Sequence, residues 1–388
     1  MCSIGALPNK MKSLNIVATT LTILITFLAF AQSNRMETFD SRWKTDTSKR
    51  NVELNEFWLG LPRDGFTVLE NPPFIEKEEA LAIYLEHEPV ISVELKGKAK
   101  GYPLNILTYH EVANDYLGKV PILVTYCPLC NAGIIFDRRL EINGDKQVLD
   151  FAVSGMLRKS DMVIWDKQTE SWWQQLTGEA LVGDLTGTTL EIIPSMIVSI
   201  KQFFKKYPKG KVLSRKTGIK KAELQYGTQG YVRYDSIGKN PRFFDGNVDQ
   251  RLPAMERVVD IRSGDKFKIY TFTKAEEEEI INDRFEGKNI VVFYKSGTIS
   301  ALDARELKNS KDIGSVTVFS ANFKGRVLEF YKGKNGFVDD YTGSVWDITG
   351  KCIEGATIGK QLRIEPHGNH FAFAWLAFHP DTEIYGEN

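Results

Sequence analysis

Seven residues in one part of the chain recur in another at a single spacing. Thr177, Gly178, Gly183, Gly187, Leu190, Pro194 and Pro208 are followed 172 positions later (349 − 177) by Thr349, Gly350, Gly355, Gly359, Leu362, Pro366 and Pro380. Just upstream, Thr169, Ser171 and Trp173 match Thr342, Ser344 and Trp346 at a spacing of 173, one residue of slippage. Val148-Leu-Asp-Phe151 resembles Val327-Leu-Glu-Phe330. Each glycine taken alone asks for no more than a turn. Matched in order with prolines and tryptophans, they ask for the same succession of turns twice, the mark of a repeated supersecondary unit. The fold expected is α+β and predominantly β: two tandem, internally duplicated β-rich units with few short helices.

The units are placed at residues 88–210 and 255–388, with 211–254 as a connecting segment. Residues 32–87 read as a partly mobile lead-in, polar at first and then rich in proline and glutamate. Residues 1–31 read differently. Lys10 and Lys12 precede an apolar run from Leu14 to Ala31 that ends in Ala29-Phe30-Ala31, the pattern of a secretory signal peptide. The protein is thus expected in the periplasm or secreted. An uncleaved N-terminal anchor helix is the alternative and the only membrane contact foreseen. The full chain has 50 Lys+Arg and 50 Asp+Glu. Without the two signal lysines the balance is 48 to 50, and such a chain lacks the excess of positive charge that nucleic acid demands.

Two of the four cysteines lie close together, in Val120-Pro-Ile-Leu-Val-Thr-Tyr-Cys127-Pro-Leu-Cys130-Asn-Ala-Gly133-Ile-Ile-Phe136. Val120–Tyr126 reads as a buried strand and Ile134–Phe136 as the start of the next, with Pro128 and Gly133 bending the turn between. Two thiols at this spacing can chelate a metal, close a disulfide, or act as an attacking and a resolving thiol. An exported chain with Cys127, Cys130 and Cys352 holds an odd number of cysteines, which excludes a disulfide framework. In the second unit Ile290–Tyr294 aligns with this strand, and Lys295-Ser-Gly297 replaces the cysteine turn.

Three readings follow. In the first, Cys130 is the reactive thiol and Cys127 the resolving one, with His110 and Arg158 tuning the thiolate, a possible thiol oxidoreductase needing no cofactor and meeting a redox partner or small molecule. His110 and Glu111 are expected on a helix, because Leu104, Leu107, Val112 and Tyr116 fall at helical spacing. In the second, zinc or copper is held by Cys127, Cys130, His367 and His370. In the third, Glu111, Asp161, Trp172 and Gln174 bind a carbohydrate or other small ligand, since polar residues beside tryptophan commonly line such pockets, and the cysteines are an inert disulfide.

Several stretches resemble one bacterial family. They are Tyr102-Pro-Leu-Asn-Ile-Leu107, His110-Glu-Val-Ala-Asn-Asp115, Thr125-Tyr-Cys-Pro-Leu-Cys130, Ser154-Gly-Met-Leu-Arg158-Lys-Ser-Asp161, Gln168-Thr-Glu-Ser-Trp172-Trp-Gln-Gln175, Thr342-Gly-Ser-Val-Trp346-Asp and Phe371-Ala-Phe-Ala-Trp375. From about residue 50 onward the chain is similar to the domain-of-unknown-function family 3179, which brings no established activity or substrate. Some members carry selenocysteine where this chain has Cys130. That resemblance implies redox or nucleophilic use of the position, with sulfur here in place of selenium.

Overall fold

A computed structural model describes residues 43–387; residues 1–31, read above as a signal peptide, and the first part of the lead-in lie outside them. The described chain is mostly β, with six short α-helices and several small sheets. None of its helices is long and apolar enough to cross a membrane.

Strand order runs in parallel through the two halves. Pro89–Leu95 and Lys98–Pro103 form a hairpin, as do Arg257–Ser263 and Lys266–Thr271. Each hairpin gains an antiparallel strand on one side, Ser195–Ser199 or Asn369–Phe371. Each gains a parallel strand on the other, Lys211–Leu213 or Glu383–Ile384. A short helix follows each hairpin, and then a three-stranded antiparallel sheet. In the first half its strands are Val112–Leu117, Val120–Cys127 and Ala132–Asp137, and Leu69–Glu70 joins parallel to Val112–Leu117 as a fourth. In the second they are Ile280–Phe285, Lys288–Lys295 and Ser315–Ser320. A meander completes each half, Phe151–Arg158 to Ala180–Val182 and Phe330–Lys332 to Cys352–Glu354.

The recurring residues account for this likeness. Trp173 and Trp346 are fully buried, and an indole N–H carried into the core must find an acceptor. Trp173 Nε1 donates to Asp166 at 2.9 Å, and Trp346 Nε1 to Asp339 at 2.8 Å. The same carboxylates accept from the backbone N–H of Thr169 and Thr342, at 2.6 Å each. Gly178 (φ +72°) and Gly350 (φ +71°) let the chain pass against a ring, where an added Cβ would meet Phe136 at 2.7 Å or Phe319 at 2.6 Å. One continuous apolar core, from Leu69 to Ile384, takes in side chains of both halves.

The helix expected through His110 is not there. It stops at Leu107, and Val112–Leu117 is strand. Glu111 sits between them with φ +58°, a left-handed turn that ends one element and opens the next. Apolar spacing of 3.6 matched Leu104, Leu107 and Val112, but Val112 and Leu117 are buried as strand residues.

Candidate functional site

The cysteine turn is a tight one. Cys127 pairs with Ala132 across the hairpin, and Asn131 takes φ +51°. The second half of the chain clamps it: the Phe371 N–H donates to the Cys130 carbonyl at 2.8 Å, and the Tyr234 hydroxyl to the Leu129 carbonyl at 3.1 Å. Gln175 reaches Thr125 Oγ1 at 2.8 Å and the Ala132 carbonyl at 3.2 Å, tying the hairpin to the meander. Both cysteines are buried, and both are free thiols.

Asp161, the first residue of the neighbouring strand Asp161–Asp166, completes a cluster. One carboxylate oxygen of Asp161 and the two Sγ atoms all lie within 4.8 Å of one another. Asp161 is oriented through Oδ2, which accepts from Gln174 Nε2 at 2.7 Å and from the Leu176 N–H at 2.9 Å. Its Oδ1 is buried and accepts no N–H or O–H among the described residues; the donors beside it are the Cys127 and Cys130 thiols. A buried carboxylate oxygen needs a donor or a cation, and a metal ion taking the place of the thiol protons would meet it and both sulfurs at once.

The ionisable groups of the cluster are all acids. Burial pushes the Asp161 carboxyl up to about 6. Burial raises both thiols as well, with the Asp161 charge adding to the effect on each and Glu111 adding to that on Cys127. Glu111 is itself pushed up to about 8, by burial first and then by Asp161. Two thiols and two acids thus face one another, an arrangement that a cation would relieve.

The cations expected beside the thiols are engaged elsewhere. His110 Nδ1 lies 2.6 Å from the Thr67 carbonyl and its Nε2 2.5 Å from the Tyr226 hydroxyl. Arg158 pairs with Glu56 at 2.7 Å and approaches Gln174 at 3.4 Å. The four-ligand set with His367 and His370 is not assembled either, since the cluster excludes both. His370 Nε2 is 3.1 Å from Asp260 Oδ1 and its ring stacks on Trp375, while His367 Nδ1 is 2.7 Å from the Glu365 carbonyl. Trp172 is fully buried against Trp43 and Phe57, with no face for a sugar. Of the expected ligand-binding residues, then, Gln174 acts by holding Asp161, and Asp161 joins the thiols.

Glu111 opens onto a cavity of about 330 Å³ walled by Phe66, Leu129, Val153, Met156, Leu157 and Met162 and lined also by Tyr231, Arg242 and Phe243. Tyr231 and Arg242 come from the segment read as a connector. No periodicity marks that segment, and only its aromatic and arginine content hinted at a lining role.

No curated protein and no solved structure matches the chain. A family model described as "Protein of unknown function (DUF3179)" matches residues 63–382, which takes in both halves and every residue of the cluster. The chain belongs to that family of proteins of unknown function.

Proposed function

We propose that Cys127, Cys130 and Asp161 form a centre for a thiophilic metal ion, with zinc the best fit. The observation that carries this reading is the convergence of three buried donors, one a carboxylate oxygen that accepts no N–H or O–H among the described residues. Two thiolates and a carboxylate are an ordinary donor set for zinc and are compatible with copper. Three protein donors leave a coordination position open, as in zinc sites that polarise a ligand or a water. Gln174 and the Leu176 N–H fix Asp161 in place, the support that metal ligands need from their neighbours. Read as an export signal, the N-terminus supports an oxidising surrounding, in which a bound metal would keep the two thiols from closing a disulfide.

A dithiol redox role is the second reading, favoured by Asp161 itself. A carboxylate raised to about 6 beside two thiols is suited to accept the proton a thiol must lose before it attacks. Metal content and thiol titre on the same sample separate the two. The protein, purified without added histidines, is expected to carry one equivalent of metal, lost in Cys127→Ser and reduced in Asp161→Asn. A metal-free preparation whose two thiols cycle to a disulfide would overturn the metal centre and establish the dithiol.

A further inference from the structure

The cavity beside Glu111 is graded from outside to inside. Arg242, Phe243, Gly60 and Leu61 are exposed, whereas Met156, Met162 and Val153 are buried, so the first group forms the mouth and the second the wall. Two polar groups along it lack partners. Arg242 makes no ion pair with any described residue, and its guanidinium is held over the Tyr234 ring at 5.0 Å from the centroid. The Glu111 side chain is 8% exposed and takes part in no hydrogen bond among the described residues. An apolar chamber of this size with a few separated polar groups has the make-up of a small-molecule site.

From the lining, we propose that this cavity binds a small organic anion with an apolar body, its charged end on Arg242 at the mouth and its body between Leu129, Met156, Leu157 and Met162. Charge complementarity fixes the direction. Among the described residues that line the mouth, Arg242 is the one charged side chain, so an anionic end placed there keeps both its ion pair and part of its hydration. The inner end, beside Glu111, offers a second anion no cation among the described lining residues. Tyr231 and Glu111 would then meet whatever hydrogen-bonding group the far end of the molecule carries. That the inner end is presented to the Cys127 centre rests on the metal reading above; the binding itself does not.

Calorimetric titration of the purified protein with 4-phenylbutyrate and with uncharged 4-phenylbutanol tests this. Phenylbutyrate is expected to bind at least tenfold more tightly than the alcohol. Arg242→Ala, a substitution at an exposed position, is expected to bring the acid down to the affinity of the alcohol. Leu157→Trp, which fills the chamber, is expected to abolish binding of both. Should Leu157→Trp fail to fold, the Arg242→Ala comparison decides alone. The same titration on Cys127→Ser protein keeps the two readings apart. Binding retained there supports the cavity whatever the metal content. Absence of binding in the unsubstituted protein overturns the cavity and leaves the metal count untouched. Equal affinity for acid and alcohol, unchanged in Arg242→Ala, also overturns the proposal.

Discussion

The two halves of the molecule share a backbone plan and differ in the chemistry set upon it. Glu111 and Glu279 occupy matching places, with φ +58° and +59°. The N–H of Glu111 donates to Leu107 and that of Glu279 to Ala275, and their carbonyls accept from Tyr126 and Tyr294, each at 2.9 Å. Their side chains part company. Glu111 is buried beside the thiols, whereas Glu279 reaches outward to Lys332 at 2.5 Å. The hairpins above them differ as well. Residues 128–131 close the first directly after Cys127, while 296–314 intervene between Lys295 and Ser315 in the second. The spacing that aligns Asp166 with Asp339 sets Lys334 against Asp161. A cavity of about 280 Å³ near the second turn is lined by Lys201, Lys205, Lys295 and Asp347, where the first half has thiols and acids. Chemistry in this fold is therefore decided at the turn and at the head of one strand, and the rest of the frame tolerates either sign of charge.

The sharpest break between the halves is expected in metal binding. Cys130→Ser should weaken it by roughly a hundredfold or more, because even a residue that merely supports a ligand is worth tenfold to a hundredfold. Lys295→Ser, at the position matching Cys127, should leave metal content unchanged. Equal losses from the two variants, read by elemental analysis of matched preparations, would mean that the metal is not where the thiols are.

The next effect tests likeness. Asp166→Ala and Asp339→Ala each strand a buried indole N–H and remove the acceptor for a threonine amide. Each is expected to cost about 3 kcal/mol or more in chemical unfolding, since a buried donor left unpaired is penalised in addition to the lost bonds. If one variant proved nearly neutral, the bracket would be structural in one half only.

How much of this was legible in the sequence depended on the range over which each signal acts. The glycines and tryptophans spaced by 172 and 173 announced the parallel turns, because a left-handed φ or a buried indole is a local demand. The cysteine hairpin was equally local: alternating β-branched residues and Pro128 sufficed to place it. Asp161 was legible as polar within a tryptophan-rich stretch, but not as the partner of the thiols. That pairing arises where the meander packs on the hairpin, through Gln174 and Gln175, and nothing in spacing encodes it. The partners of His110 and Arg158 were hidden for the same reason. Each is satisfied by a group far along the chain, Tyr226 and Glu56 respectively. The connector hid Tyr231, Tyr234 and Arg242 because irregular backbone has no period to read.

A third difference lies at the entry to each half. Glu88 and Glu256 both accept a backbone N–H through their carbonyls, from Ile200 and Ala372. The Glu256 carboxylate also takes the N–H and hydroxyl of Thr273, while Glu88 has Arg215 at 3.2 Å and one oxygen unpaired. Burial pushes Glu88 up to about 7 despite Arg215. Between about pH 4.5 and 7 the unfolded chain has lost a proton that the folded chain keeps, so this group's stability is present below the window and is lost as pH rises through it. The loss amounts to roughly 3 kcal/mol. Glu88→Gln should flatten that slope in unfolding measured from pH 4 to 8. A slope untouched by Glu88→Gln would assign it to another group.

The smallest expected effect is the most exacting for the likeness of the halves. Gly187 has φ +85° and Gly359 φ +79°, and a Cβ added at either meets nothing within 4 Å. Packing therefore contributes nothing, and substitution by alanine isolates the cost of holding an L-residue in a left-handed conformation, about 1–2 kcal/mol. Gly187→Ala and Gly359→Ala should consequently destabilise the protein by the same amount, and the double variant by their sum, since the two turns share no side-chain contact. Their neighbours behave differently: at Gly183 and Gly355 the added Cβ would meet Ser171 at 2.7 Å or Ser344 at 2.8 Å. Alanine at those positions should cost more, again equally in both halves. Matching costs at Gly187 and Gly359 with unequal ones at Gly183 and Gly355 would show that the halves keep a common backbone but pack it differently, and would confine the likeness to turn geometry.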